Sequence, residues 1–293
     1  MRITELINRG EFVVTAEFGP PKGINVDHLL RTAEQYFEGV AAINVTDCQG
    51  SVMRMGALAT CKALKDNGHN PILQIVCRDK SRLALQSEML SAAFFGIDNL
   101  LLLTGDHPRL GDNPQSKPVF DLDSVSLMHA AVQIENGFDL AGNALESEPP
   151  KFAKGAVVSP CSDSVDLQLI KMERKVMAGA EFFQTQAVYE PEKFIRFMEK
   201  ARQFNVPVIL GVISPRSVGM VNYMNDNIAG ISVPQDLIDE LKSDKEKTKA
   251  GITGVEITAR IIKECKQYCQ GVHIMALGDG SKVPSILKLA GIK

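Results

Sequence analysis

The feature of this sequence that most constrains its fold is an alternation, repeated eight times, of short apolar segments with amphipathic stretches. The apolar segments are rich in Val, Ile and Leu at successive positions, which is typical of strands buried on both faces of a parallel sheet. The stretches between them carry helical periodicity, as from Val165 to Val176. Gly179 lies just past this predicted helix, at a position suited to a left-handed C-terminal residue. The predicted strands are Phe12–Phe18, Ala41–Thr46, Pro71–Cys77, Asn99–Thr104, Gly155–Ser159, Glu181–Gln186, Val206–Ile213 and Gly271–Leu277.

A strand–helix unit repeated eight times predicts an α/β fold, a closed (β/α)8 TIM-type barrel, for which about 250 residues is typical. We expect one catalytic domain over residues 1–293, with longer connections near 107–121 and 138–154, which are rich in Pro, Gly and Asp. A doubly wound open sheet is the alternative architecture. Its usual G-x-G-x-x-G motif after the first strand is absent, as is the P-loop pattern, so the barrel is favoured.

Composition excludes several classes of protein. Lys and Arg number 32 against 35 Asp and Glu, a formal charge of −3, so the chain lacks the basic surface typical of nucleic-acid binding. No segment reaches the roughly 18 consecutive apolar residues of a membrane span. The N-terminus lacks the apolar region of a secretory signal. We therefore expect a soluble, cytoplasmic protein with neither a nucleic-acid nor a membrane partner.

The six cysteines indicate no cluster or metal site. They are scattered along the chain, and the closest pair, Cys265 and Cys269, continues an apolar helical series and is expected in the core. Because there is no C-x-x-C motif, the sequence predicts no iron–sulfur cluster and no metal in this chain. The Lys-rich run 242–249 is interpreted as a solvated helix face rather than a binding patch.

The active site of such a barrel lies at the carboxyl ends of its strands, so polar residues there are the candidates. Glu17 stands inside an apolar strand, where a bare buried carboxylate is costly. Two interpretations stay open: a carboxylate that caps a loop at the rim, or a carboxylic acid that keeps its proton near neutral pH and donates it. Asp106 follows Gly105, which lets the backbone approach a ligand closely, although an Asx turn onto Pro108 explains it equally well.

Other strand exits carry further polar groups. Gln186 offers both a donor and an acceptor, which suit the edge of a planar heterocycle or a neighbouring backbone group. The turn Gly278–Gly280 resembles a phosphate-holding turn, though short glycine turns are frequent. His107 is interpreted as a surface residue rather than a base. The remaining histidines show no ligand spacing: His28, His69, His129 and His273.

Several segments at these exits resemble the methylenetetrahydrofolate reductase family, and the resemblance runs through nearly the whole chain. It rests on the order and spacing of the segments over eight strands rather than on any single motif. The segments are Ala16–Pro21, Val45–Thr46, Leu103–Asp106, Arg174–Ala180, Gln184–Gln186 and Gly271–Ile274. The resemblance implies a flavin-binding barrel that reduces 5,10-methylenetetrahydrofolate to 5-methyltetrahydrofolate in one-carbon metabolism and methionine biosynthesis.

The same resemblance implies a role for each matched residue. Glu17 is the general acid at folate N10, and Asp106 lies near the flavin ring and the pterin, where it helps stabilise the substrate cation. Gln186 hydrogen-bonds the pterin, and Tyr223 is the candidate for stacking on nicotinamide or folate. Hydride passes from N5 of the reduced flavin, and Lys175 suits the flavin phosphates. The implied cofactor contacts are Thr46, Gln74, Thr104, Gly105, Asp106 and Lys175.

The sequence also departs from the family pattern. The resemblance implies FAD as the cofactor. Gln74 stands where many members have His, and Thr104 where they have Arg, and because either change affects the flavin contacts, FMN stays open as the alternative. After the last strand, Gly278–Asp279 replaces an Asn–Arg pair whose Arg lies near folate in many members.

Three functions remain as alternatives. The first is a reductase that takes electrons from NAD(P)H. The second is the folate-reducing subunit of a larger redox complex, fed by an iron–sulfur partner protein. The third is a flavin-free transferase or lyase acting on a pterin or a phosphorylated small molecule, with Glu17 and Asp106 as its acid/base pair. We expect a homo- or hetero-oligomer.

Overall fold

The computed structural model describes residues 1–292 and shows a closed barrel of eight parallel strands in chain order, with β8 hydrogen-bonded to β1. Each strand overlaps a predicted one, so the predicted (β/α)8 architecture is confirmed. The strands are apolar at successive positions because one face fills the barrel while the other lies beneath the helices. They are β1 (Val13–Phe18), β2 (Ala42–Val45), β3 (Pro71–Val76), β4 (Asn99–Leu103), β5 (Ala153–Val158), β6 (Phe182–Thr185), β7 (Val208–Ile213) and β8 (Gly271–Met275).

The helices surround the barrel and cover it with their apolar stripes. On α7, for example, Phe194, Phe197 and Met198 are buried. After the end of α6, Gly179 adopts the predicted left-handed conformation, with φ +112°. No helix within residues 1–292 is long and apolar enough to cross a membrane. The helices are α1 (Ile3–Asn8), α2 (Asp27–Tyr36), α3 (Ala57–Asp66), α4 (Arg82–Phe94), α5 (Ser124–Glu135), α6 (Val165–Met177), α7 (Pro191–Ala201), α8 (Val218–Asn227), α9 (Gln235–Ser243), α10 (Lys245–Lys249), α11 (Ile252–Cys265) and α12 (Val283–Ala290).

The fifth strand begins two residues earlier than predicted. Lys154, predicted as the last residue of the 138–154 connection, lies instead within β5 and is buried. Its Nζ atom is 2.6 Å from a carboxylate oxygen of Glu135 and 3.0 Å from one of Glu181. The two ion pairs compensate the burial of the ammonium group, which is why a charged residue is tolerated inside this strand.

Helix α1 closes the amino end of the barrel. Ile3, Leu6 and Ile7 belong to one buried cluster with apolar residues at the starts of the strands, including Phe182. The backbone N–H of Ile3 donates to Asn99 Oδ1 at 2.8 Å, which fixes the helix to β4. The amino end of the barrel is therefore closed by packed side chains.

One level above this apolar cluster, the barrel interior is polar. Asn44 Nδ2 donates to Gln184 Oε1 at 2.8 Å, and Gln184 Nε2 donates to Thr15 Oγ1 at 3.3 Å. We call the five buried side chains at this level the polar layer. Four of them hydrogen-bond one another and Gln74 donates to Glu17, and these bonds offset the cost of burial. The five side chains are Thr15, Asn44, Gln74, Gln184 and His273.

Strands β4 and β5 separate toward their carboxyl ends. Their pairing covers only Asn99–Leu101 and Ala153–Gly155, although both strands continue further. On the opposite edge of β5, the carbonyl of Val158 still accepts from Gln186 N at 2.8 Å, so its pairing with β6 continues. The barrel wall is consequently open between β4 and β5 at the end where the site is expected.

Candidate active site

A cavity of about 380 Å³ lies at the carboxyl ends of the strands. Seven of the nine residues predicted for the site line it, and Thr46 and Tyr223 do not. The seven are Glu17, Gln74, Thr104, Gly105, Asp106, Lys175 and Gln186. They come from β1, β3, the exits of β4 and β6, and α6, so the barrel joins side chains that lie far apart in sequence.

Glu17 is buried at the inner end of this cavity, with 7% of the residue exposed. Gln49 Nε2 donates to its Oε1 at 3.1 Å, and Gln74 Nε2 donates to its Oε2 at 3.2 Å. His273 Nε2 lies 3.6 Å from Oε2. Each carboxyl oxygen therefore has an amide donor, and the group is oriented by three side chains.

His273 links Glu17 to the polar layer. Its Nδ1 is 2.9 Å from Thr15 Oγ1, which already accepts a hydrogen bond from Gln184. The Thr15 hydroxyl proton is satisfied when Nδ1 accepts it, and this tautomer carries the imidazole proton on Nε2, facing Glu17. Spacing in the sequence gave no sign of this histidine's position, because the pairing of Thr15 with His273 arises only when β8 closes the barrel onto β1.

The turn after β2 places Gln49 at the cavity. Cys48 and Ser51 have φ of 43° and 60°, left-handed values that are unfavourable for residues with side chains. Ser51 Oγ donates to the carbonyl oxygens of Asp106 at 3.1 Å and His107 at 3.2 Å, which ties this turn to the exit of β4. Gln49 was not predicted as a site residue.

At the exit of β4 the backbone passes close to β3. Gly105 has φ +89°, and a Cβ there would lie 3.2 Å from the Cβ atoms of Val76 and Arg78. The Asp106 carboxylate makes no hydrogen bond within residues 1–292, so the Asx-turn interpretation is wrong. The turn is instead capped by His107, whose Nδ1 accepts from Arg109 N at 3.2 Å.

Lys175 occupies the lateral opening between β4 and β5. Its Nζ donates to the carbonyl oxygen of Val157 at 2.7 Å, on the edge of β5 where pairing with β4 has ended. Burial, together with the nearby Lys171, lowers the pKa of Lys175 from 10.5 to about 8. A cation whose charge is disfavoured in this way gains from an anion placed beside it.

Thr46 and Tyr223 are the two predicted residues that do not line the cavity, and their surroundings differ. Thr46 is buried, and its Oγ1 has no hydrogen-bond partner within residues 1–292; a Cβ on Gly19 would lie 3.5 Å from it. A buried hydroxyl without a partner is uncommon, and a bound group can supply one. Tyr223 lies on α8 with 62% of the residue exposed and outside the cavity lining, so the structure does not bring it to the other site residues.

Gln186 is held at the exit of β6 by its own neighbour. Its Oε1 accepts from the backbone N–H of Ala187 at 3.1 Å, and its Nε2 has no partner within residues 1–292. Two charged residues that line the cavity, Asp47 and Arg78, were not predicted. Asp47 is fixed by the ammonium group of Lys80 at 2.7 Å, and Arg78 is fixed by Asp79 at the same distance.

Comparison with known proteins places this geometry in context. Residues 2–291 match the family model described as methylenetetrahydrofolate reductase. Methylenetetrahydrofolate reductase 2 of Schizosaccharomyces pombe is 25% identical over 100% of this chain and 48% of its own length, so the chain spans about half of that relative. The 5,10-methylenetetrahydrofolate reductase of Escherichia coli is 22% identical over 97% of this chain and 93% of its own.

Solved structures share the fold. An uncharacterized protein from Clostridium thermocellum superposes with a TM-score of 0.67 at 14% identity, covering 99% of each chain. That protein binds two copies of 5-methyl-5,6,7,8-tetrahydrofolic acid. At this identity the likeness establishes the barrel fold alone.

Proposed function

This chain belongs to the methylenetetrahydrofolate reductase family, and on that premise we propose that it reduces 5,10-methylenetetrahydrofolate to 5-methyltetrahydrofolate with a bound flavin. The observation that carries the proposal is Glu17, a buried carboxyl group at the inner end of the cavity, with its two oxygens held by Gln49 and Gln74. The folate ligand of the structurally similar Clostridium thermocellum protein supports the same substrate class.

The residues around the cavity fit a flavin. Thr46 offers a buried hydroxyl that lacks a partner, Gly105 lets the backbone come close, and the opening beside Lys175 gives a phosphate-bearing tail a cationic contact. When bound, the flavin supplies the hydride. We propose that this flavin is FAD, and titration of the protein with FAD and with FMN distinguishes the two. The residues that would hold it are Thr46, Gln74, Thr104, Gly105, Asp106 and Lys175.

The protein's own contribution is proton transfer and placement of charge. Glu17 donates a proton to folate N10, the bond between N10 and the bridging methylene breaks with its electrons on N10, and a cation remains on N5 and the methylene carbon, ready to accept hydride. The free carboxylate of Asp106 favours that cation, and the Gln186 amide hydrogen-bonds the pterin edge. His273 Nε2 lies 3.6 Å from Glu17 Oε2, and its Nδ1 is 2.9 Å from Thr15 Oγ1, so both groups help to orient the acid.

The electron donor is the second part of the proposal. NAD(P)H reduces the flavin in a self-sufficient reductase, whereas an iron–sulfur partner protein reduces it in a larger hetero-oligomeric complex. No group of three or more His, Cys, Asp or Glu in the described part of the chain is arranged to hold a metal. A cluster would therefore be brought by a partner.

A visible absorption spectrum of the purified chain, followed by anaerobic addition of NADH, tests this proposal. Flavin bands that NADH bleaches support the self-sufficient reductase. Flavin bands that persist with both NADH and NADPH support the partner-fed subunit. A protein that stays colourless after addition of FAD and FMN refutes the flavin proposal and favours an acid/base transferase or lyase.

A further inference from the structure

The turn after β2, residues 48–51, has an unfavourable backbone conformation; we call it the β2 turn. Cys48, Gly50 and Ser51 have φ of 43°, 62° and 60°. Two of these residues carry side chains, and a left-handed conformation at such residues persists only where the surrounding structure holds it. The question is therefore which groups hold the β2 turn, and what they gain by doing so.

The β2 turn carries the amide that contacts the proposed acid. Gln49 Nε2 donates to Glu17 Oε1 at 3.1 Å. The Gln49 side chain is itself exposed, so packing against neighbouring side chains does not fix it. Its amide stays on Glu17 only while the backbone of the β2 turn stays in place. Any group that holds this backbone therefore also holds the carboxyl group of Glu17.

Arg78 contacts the β2 turn from the adjacent strand. It follows β3, and only 2% of the residue is exposed. Its Nη2 donates to the carbonyl oxygen of Cys48 at 3.2 Å, and its Nη1 donates to the carbonyl oxygen of Asp106 at 3.5 Å. Because β3 lies between β2 and β4 in the barrel, one guanidinium group joins the exits of both neighbouring strands.

The guanidinium group is anchored by the residue that follows it. Arg78 Nε donates to the two carboxylate oxygens of Asp79 at 2.9 and 3.0 Å, and Nη2 donates to Oδ2 at 2.7 Å. This planar pairing fixes the orientation of the guanidinium group. The Arg78 side chain is 3% exposed and that of Asp79 is 42% exposed, so a carboxylate that reaches solvent compensates the buried charge.

The β2 turn is also packed against the exit of β4. Ser51 Oγ donates to the carbonyl oxygens of Asp106 and His107, at 3.1 and 3.2 Å. A Cβ on Gly111 would lie 1.8 Å from the carbonyl oxygen of Ser51, so the two segments touch through their backbones. Arg78 therefore acts on a unit formed by the β2 turn and the β4 exit.

The hydrogen-bond donors of Arg78 are directed to the protein. Its Nε and both hydrogens of Nη2 have partners in Asp79 and Cys48, which leaves only Nη1 with a spare donor. Lys175 differs, because its ammonium donates to the Val157 carbonyl alone within residues 1–292. Both cations line the same cavity, but the contacts of Arg78 are those of a group that holds backbone rather than a ligand.

We propose that Arg78 is a positioning residue for Glu17 and acts through the β2 turn and the amide of Gln49. This inference rests on the proposed function, in which Glu17 gives a proton to folate N10. Proton transfer needs the acid within hydrogen-bond reach of its acceptor. A carboxyl group that has lost one of its amide contacts rotates away from that geometry, which slows the step without weakening the binding of either ligand.

The test compares Arg78→Ala, Gln49→Ala and the double variant with wild type, all loaded with flavin. Arg82→Ala is the matched control, because Arg82 begins α4 a few residues later and pairs with Asp121 at 2.8 Å, but its side chain is 56% exposed and outside the cavity lining. Thermal unfolding checks that each variant is folded.

The flavin is reduced photochemically, so the result does not depend on the electron donor. Stopped-flow mixing with 5,10-methylenetetrahydrofolate then follows reoxidation of the flavin. The dependence of the rate on folate concentration gives a limiting rate and a dissociation constant, and a fluorescence titration gives the affinity for FAD. A positioning residue changes the limiting rate, whereas a residue that binds ligand changes a dissociation constant.

We expect Arg78→Ala to lower the limiting rate by about 10- to 100-fold and Gln49→Ala by about tenfold, with both dissociation constants within about threefold of wild type. In the Gln49→Ala background, Arg78→Ala should cost less than about threefold more, because the amide it positions is already gone. Guanidinium ion at millimolar concentration should restore part of the rate of Arg78→Ala but not that of the double variant. Arg82→Ala should keep the wild-type rate.

Three results overturn the inference and leave the proposed function standing. They are a wild-type limiting rate in Arg78→Ala, losses that multiply in the double variant, and a weakened dissociation constant with an unchanged limiting rate. If Arg78→Ala does not fold, Arg78→Lys and Ser51→Ala decide the question, and wild-type limiting rates in both overturn it. Wild-type protein whose reduced flavin is not reoxidised by 5,10-methylenetetrahydrofolate refutes the proposed function itself.

Discussion

Replacing Lys175 by Met is expected to weaken the binding of phosphate-bearing flavins and to remove its pH dependence. The Lys175 ammonium lies in the lateral opening of the barrel, 2.7 Å from the Val157 carbonyl, and burial together with Lys171 lowers its pKa to about 8. A phosphate bound beside it favours the charged form and so raises that pKa toward the ordinary lysine value of 10.5. Binding and protonation are therefore linked.

The size of the effect follows from this linkage. Below pH 8 the ammonium is charged with or without flavin, so affinity for FAD is constant. Above pH 8 the free protein loses a proton that binding must restore, and affinity falls by about tenfold per pH unit, or ~1.4 kcal/mol. Because Lys175 is partly exposed, the whole fall is on the order of 100-fold at most. At pH 7 the loss of one charge-assisted hydrogen bond in Lys175→Met weakens FAD about 10- to 100-fold.

Quenching of flavin fluorescence between pH 7 and pH 9.5 measures these affinities for FAD, FMN and riboflavin. Riboflavin has no phosphate, so its binding should show no break near pH 8. Lys171→Gln is the matched control: it removes a neighbouring charge that lowers the Lys175 pKa, so the break should move to higher pH while binding persists. Wild-type affinity and an unchanged break in Lys175→Met would refute the assignment of this lysine to the phosphates.

Three further changes test the site and the barrel. Glu17→Gln should slow folate reduction by roughly 10²- to 10⁴-fold, as stopped-flow measures it, with flavin reduction within about twofold of wild type; an equal loss in both half-reactions would contradict the acid role. His273→Gln should slow folate reduction by about tenfold or more without changing flavin affinity or the rate of flavin reduction, whereas an unchanged rate of folate reduction would reduce His273 to a packing residue. Gly155→Ala places a Cβ 2.2 Å from the Phe182 ring and should lower the free energy of unfolding in urea by about 1–3 kcal/mol. Gly23→Ala is the control, because its new Cβ has no atom within 4 Å and the free energy of unfolding should change little. Equal destabilisation by the two substitutions would refute the packing argument.

The fold was predictable because its signal is redundant. Eight continuous apolar segments separated by amphipathic ones leave few architectures, and an error at one boundary does not alter the pattern. Lys154 shows where the signal fails: it was predicted to end a connection, but it lies inside β5, where Glu135 and Glu181 compensate its charge. That compensation depends on residues 19 and 27 positions away, which periodicity does not reveal.

Site residues were predictable where the sequence of a single strand and its exit reveals them. They were not predictable where a residue reaches the site only through the pairing of two strands or the shape of a turn. Glu17 and Asp106 stand at exits that are visible in the sequence. His273 and Gln49 are site residues only because they contact Glu17. His273 reaches Glu17 through the pairing of β8 with β1, and Gln49 reaches it through the left-handed turn after β2. The lateral opening was equally hidden, because β4 remains apolar beyond Leu101, where its pairing with β5 ends.

These missed contacts bear directly on how Glu17 could act as an acid in repeated turnovers. After the proton leaves for the folate, the carboxylate must be protonated again before the next substrate opens. The amide N–H groups of Gln49 and Gln74 orient the carboxylate but cannot give up a proton near neutral pH. The third side chain beside the carboxylate is the imidazole of His273, whose Nε2 is 3.6 Å from Oε2. The polar layer therefore does more than fill the barrel: Thr15 Oγ1, 2.9 Å from His273 Nδ1, orients the imidazole beside Glu17, so Thr15→Val should slow folate reduction while leaving flavin binding intact.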